Sequence, residues 1–560
     1  MSKGPGFEMI SHFTSFHNQP PFIMINRFAI VVMLGIVVSC TPKKEVSNLI
    51  TDIPVCGTVQ FSDGCSPELD KAISLGIALV HHMTYEEADT VFGKVINADS
   101  TCFWGHWGKA LTYIHPLWND PPGEEKLKAG WNLSQRALKH ARTDKELLYG
   151  KALAGYYENG LQKTEKERLK KFEEGWFTTY KSNTNDLEAK SFYALSLIAT
   201  ADPSDQNFLN QKKAGALAAE VLEIIKDHPG GYHYVIHAYD YPGLTDKALY
   251  AAQTYSSIAP ELPHAQHMPS HIFTRRGMWT ESIQWNAKSA ESAKENPVKG
   301  ATSLHYFHAV DYLVYAYLQK GEDEKAKAAF DEMKRLQGPF QPHGVTAYAL
   351  SATEGRIYIE RQDWKKAAAL TLPAPQGFSW DKFPDFQGVN YFATGLGAAR
   401  SGSTDIAEKC LRKLDSLRPH VKHPYFANQL EIQRNIINAW IAFNRGSKNK
   451  ATELMKQAAD LEWSMQKHAV TPGELLPARE IYADMLLEMN DPKEALVQYE
   501  MSLERSPDRL NSIYGAANAA KLSGDGEKAR HYYERVVYLT SGADASFAQR
   551  KKSMEYLSRL

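Results

Sequence analysis

Only five cysteines occur among the 560 residues, at positions 40, 56, 65, 102 and 410, and no two stand in a CxxC pair. That spacing excludes a zinc ribbon and a thioredoxin-like redox site. An excess of either charge is missing too: 64 Lys and Arg against 65 Asp and Glu leave a net charge of -1. Such balance gives no electrostatic footprint for nucleic acid, and no nucleic-acid partner is expected. HExxH, GxSxG and P-loop signatures are absent, so no reaction-specific motif marks the chain as an enzyme. Strand-type alternation is nearly absent, whereas helical periodicity is almost continuous after about residue 65. A chain of this length outgrows a single compact core, which leaves several domains or one extended repeat array.

The N-terminus resembles a bacterial lipoprotein signal. Met24-Ile-Asn-Arg27 supplies a short positive region, Phe28 to Val38 is an apolar run too short to span a bilayer, and Val37-Val38-Ser39-Cys40 matches a lipobox. The resemblance implies cleavage before Cys40, acylation there and a membrane anchor, with an uncleaved helix as the alternative. Thr41 in place of Asp implies outer-membrane sorting, facing the periplasm. Residues 1–23 then form an over-long start or disordered extension, 24–39 the signal peptide and 40–65 a polar linker. In an oxidising compartment Cys56 and Cys65 are close enough in sequence to close a small loop, and that disulfide is expected. Cys102 and Cys410 read as buried thiols.

Three stretches set His and Asp on helical faces: GYHYVIHAYD with His233, His237 and Asp240; LPHAQHMPSHIF with His264, His267 and His271; and LHYFHAVDYLVY with His305, His308 and Asp311. His233 to His267 and His237 to His271 are both 34-residue steps. The same step carries Ala495 and Tyr499 to Ala529 and Tyr533. With turn glycines at Gly243, Gly277 and Gly321, the chain resembles the tetratricopeptide repeat (TPR) family. The resemblance implies an all-α superhelix of helical hairpins, arranged as an N-terminal array over 66–340 and a C-terminal array over 341–560. It also implies that the three histidine faces line one concave groove.

Eight of the chain's 20 histidines lie between His228 and His308. Imidazoles one helical turn apart can share an ion, and nitrogen and oxygen donors suit a divalent transition metal, zinc or copper foremost. The shared register singles out His233, His237, His267 and His271 as ligands. Asp240, His264, His305, His308 and Asp311 are then expected to orient them or to add ligands. Three other readings stay open: a groove that binds a peptide or an envelope partner without metal, a metal-dependent hydrolase with water polarised beside Asp240 or Asp311, and structural histidines that bond to the neighbouring helix. His81 and His82 read as helix-end residues, and Trp104 and Trp107 as wedges between helices.

Overall fold

The structure, a computed structural model, describes residues 54–560 apart from 62–64, 119 and 372–377. Cys40, the lipobox and the signal segment lie outside the described residues. Helices follow one another from Pro67–His81 to Ala548–Leu557, and among the described residues there is no β-strand, only two isolated bridges. The protein is an all-α, TPR-like superhelix. Among the described residues no helix is long and apolar enough to cross a membrane.

The hairpins arise from local chemistry. Gly243, Gly277 and Gly321 each take a left-handed backbone, with φ of +74°, +68° and +70°, a conformation that costs glycine nothing and turns one helix back along the next. At Gly277 a second reason applies: a Cβ there would lie 2.5 Å from Cβ of Asp508. Close approach of two distant hairpins therefore demands the missing side chain. Trp279 Nε1 donates to the Asp508 carbonyl at 2.9 Å, across 229 residues of sequence. Next to it the Leu510 amide donates to Gln319 Oε1 at 3.0 Å. The superhelix thus winds tightly enough for the hairpins around residues 263–335 to touch those after residue 492.

Most apolar packing among the described residues falls into one large cluster from Cys56 to Phe273 and another from Ala290 to Tyr533, with two small ones beside them. Trp104 and Trp107 are fully buried edge to face at 5.4 Å in the first, and truncating either to alanine would cost about 3–5 kcal/mol. The histidine helices Pro229–Tyr239, Pro263–His267 and Pro269–Arg275 belong to the first side and Leu304–Gln319 to the second. Their rings meet between the two clusters.

The expected Cys56–Cys65 disulfide is not formed: Cys65 pairs with Cys102, with Cα atoms 5.4 Å apart, and Cys56 is a buried free thiol. Docking of the linker explains the difference. The Thr58 amide donates to the Asp227 carbonyl, the Cys56 carbonyl accepts from His82 Nε2 at 3.0 Å, and Phe61 packs edge-on against Trp104 at 4.3 Å. An extended, docked segment holds Cys56 away from Cys65, while Cys102, at the start of the Phe103–Leu111 helix, reaches it.

Candidate metal centre

A proline shapes the central helix. Pro269 has no amide hydrogen to give, so the helix breaks between Pro263–His267 and Pro269–Arg275. The His271 amide donates to the Met268 carbonyl instead of to His267, and the His267 carbonyl takes the Ser270 hydroxyl at 2.7 Å. Across this break His264, His267 and His271 all point inward, none more than 5% exposed.

The four-ligand set expected from the register is not what the fold assembles. Ring nitrogens group as two triads, His233 with His237 and His264, and His267 with His271 and His308, each triad with its ligand atoms within 4.8 Å of one another. His264 and His308, expected to stand behind the ligands, are members of the triads. The reason is that the rows of rings cross helices: His233 meets His264 at 5.0 Å between ring centres, and His267 meets His308 at 4.2 Å. The triads adjoin, with His237 to His271 at 5.9 Å and His264 to His267 at 6.3 Å.

Hydrogen bonds fix where the protons are. His233 Nδ1 lies 2.6 Å from the His81 carbonyl, which can only accept, so His233 carries its proton on Nδ1 and presents a bare Nε2. His267 Nδ1 donates to Asn286 Oδ1 at 2.7 Å, an amide held in that orientation by its own Nδ2 donating to the Ser282 carbonyl. His271 Nδ1 donates to Asp240 Oδ2 at 3.0 Å. Both Nε2 atoms are therefore lone-pair acceptors, and they face each other at 3.1 Å. In the other triad His233 Nε2, His237 Nε2 and both nitrogens of His264 are buried without a hydrogen-bond partner.

Electrostatics keep these rings neutral. Burial, and then the adjoining imidazoles, hold His233, His264, His267 and His308 well below the ordinary histidine value. Burial followed by His271 pushes His237 down to about 3. Asp240 stays charged: burial pushes its carboxyl up, but Lys467, Arg275 and His271 outweigh this and hold it below the usual range.

Other expected residues stand further off. Asp311 is fully buried against Arg356, 3.5 Å away, and faces that guanidinium; burial raises its carboxyl to about 6 despite the cation. His305 lies beside the first triad, 5.2 Å from His264 and 5.5 Å from Trp118, with Nδ1 unpartnered. Arg275 closes on Asp240 at 2.8 Å.

A third cluster was not legible in the sequence. His81 and His82 end the helix Pro67–His81 as expected, and both are fully buried. His81 Nε2 and His228 Nε2 donate to the two oxygens of Glu188 at 2.7 and 2.9 Å, while Tyr234 and the Gly231 amide satisfy their Nδ1 atoms. His82 is bonded to Tyr255 and the Cys56 carbonyl. Here every ring nitrogen is used, which makes this a structural network, in contrast to the bare triads. Glu188 lies 40 residues before His228, so no local spacing announces the contact.

The groove expected to be open is filled by the chain itself. Residues 470–473 are buried within it, Tyr312 donates to the carbonyls of Ala469 and Thr471, and Tyr348 bonds the Thr471 hydroxyl at 2.7 Å.

No family model and no curated protein matches the chain. Among solved structures it is similar to a monomeric mutant of IFIT1 with Gppp-AAAA, at 16% identity over 86% of this chain and 96% of that one with a TM-score of 0.36. It is similar to the human IFIT1 dimer with m7Gppp-AAAA, at 16% over 75% and 88% with 0.35, and to yeast Tom70, at 12% over 88% and 95% with 0.34. These likenesses say nothing of a ligand for this chain.

Proposed function

We propose that the protein is an envelope-anchored TPR-like scaffold whose interior binds a transition metal, zinc or copper, through the two imidazole triads. The observation that carries this reading is the His267–His271 contact. Two neutral imidazoles with their protons committed to Asn286 and Asp240 repel each other through facing lone pairs. A cation between them turns repulsion into coordination. Tetrahedral zinc–imidazole geometry places nitrogens about 3.3 Å apart, close to the 3.1 Å found. The backs of the rings carry the acceptors that metal-bound histidines use: a carboxylate, an amide oxygen and a main-chain carbonyl.

Hydrolysis fits less well, because a polarised water needs a base beside it. Asp240 is taken up behind His271, and Asp311 is turned to Arg356. Partner binding has one feature in its favour, a cleft of about 460 Å³ in the C-terminal hairpins lined by Arg361, Arg400, Asn511 and Asn518. Membrane attachment through Cys40 and the periplasm-facing location are supported by the lipobox-like Val37-Val38-Ser39-Cys40 and by Thr41.

The test is the metal content of the purified full-length chain. Metal should accompany it and be lost on His233→Ala combined with His267→Ala. Wild-type protein that takes up neither zinc nor copper after chelation and reloading would remove the metal reading and leave the partner scaffold.

A further inference from the structure

Resting on the metal reading, we infer that the two triads form a single two-ion centre built for monovalent copper. The adjoining rings, 5.9 Å from His237 to His271 and 6.3 Å from His264 to His267, bring the two ions within one imidazole cluster. Neither triad contains a carboxylate or thiolate, so all six ligands are neutral. Only groups outside the ligand set can therefore compensate the ions.

Those groups largely offset one another. Asp240 is paired with Arg275 at 2.8 Å and faces Lys467 at 3.9 Å. Asp311 faces Arg356. Glu188 is held by the ring nitrogens of His81 and His228, and the His81 carbonyl in turn accepts from His233 Nδ1. Glu474 also acts on Arg275 and Lys467, so four carboxylates stand against three cations, and this surplus of one negative charge leaves most of the charge of a pair of ions uncompensated in a desolvated interior. Two dications would repel each other about four times as strongly as two monocations at the same separation, and each would carry a larger burial cost. Three imidazoles also complete a trigonal shell, which a closed-shell monovalent copper ion accepts without a fourth ligand. The surroundings are aromatic: Tyr255 stacks on His233 at 5.4 Å, and Tyr312 stands edge-on to His267 at 4.7 Å. Such walls favour the softer, less strongly hydrated ion.

The experiment is an anaerobic titration of the full-length, metal-stripped chain with cuprous ion against a competing chelator, run beside a titration with zinc. Two cuprous ions per chain are expected, with zinc displaced by cuprous ion at equal concentration. His264→Gln and His308→Gln should each lower the copper count from two to one, and circular dichroism reports whether each variant folds. Should one variant fail to fold, the wild-type count and the other variant still decide. Two zinc ions bound in preference to copper, or a single copper, would overturn this inference and leave the metal reading intact. Binding of neither ion would overturn both.

Discussion

His267 and His271, one turn apart across Pro269, hold their Nε2 atoms 3.1 Å from each other while their Nδ1 atoms are committed elsewhere. The arrangement depends on Asn286, a fully buried amide that accepts the His267 proton. Asn286→Leu removes that acceptor and frees the ring. Metal affinity should fall about 10- to 100-fold, and the metal-free protein should lose about 1–3 kcal/mol from the unsatisfied Nδ1. Competition titration and chemical denaturation measure the two effects. Unchanged affinity would show that Asn286 does not orient a ligand.

His305 and His308 sit one turn apart on the same helix, yet only His308 belongs to a triad. His305→Ala should retain the wild-type metal stoichiometry, whereas His308→Ala should lose an ion. Equal loss in both would mean that proximity to Trp118 and His264, not triad membership, defines the centre.

The helical class and the repeat phase were legible because both are local. Apolar periodicity and turn glycines such as Gly277 act within a few residues. The inward placement of His233 and His267 follows from the same phase. Their partition into triads was hidden, because it depends on the His81 carbonyl, on Asn286 and on the break at Pro269, which no spacing reveals. His81 and His82 end a helix as expected, but that this end is buried against Tyr234 and Tyr255 was hidden for a related reason. The filling of the groove by residues 470–473 likewise comes from the opposite half of the chain.

Glu188 offers a control for the candidate centre. Glu188→Ala leaves His81 Nε2 and His228 Nε2 buried without an acceptor, and at about 1–3 kcal/mol for each unsatisfied donor stability should fall by about 2–6 kcal/mol. The folded fraction should keep its metal, since neither histidine belongs to a triad. Loss of metal without loss of stability would assign this cluster to the centre instead.

The Cys65–Cys102 bond closes a loop with a sequence separation of 37, for which chain entropy gives about 3–4 kcal/mol of stabilisation. Cys102→Ser, or reduction, should lower the denaturation midpoint accordingly. Cys56→Ser should not respond to reductant differently from wild type. Mass spectrometry of non-reduced peptides checks the pairing directly, and a Cys56–Cys65 peptide would contradict it.

Acid should act on the metal-free and metal-bound protein in different ways. The triad imidazoles have folded values below the ordinary 6.5, near 3 for His237, with burial as the main cause. Between those limits the unfolded chain binds more protons than the folded one, so stability is fully present above pH 6.5 and declines as pH falls towards 3. The thermal midpoint of metal-free protein should therefore drop steadily from pH 7 to pH 4. Metal affinity should behave otherwise, because protons compete for a ligand only near its folded pKa. It should stay nearly flat from pH 8 to pH 5, where an exposed histidine pair would already have weakened. Affinity that declines tenfold per pH unit from 6.5 downward would mean that the rings titrate as exposed groups, and that they are not the buried, neutral ligands described above.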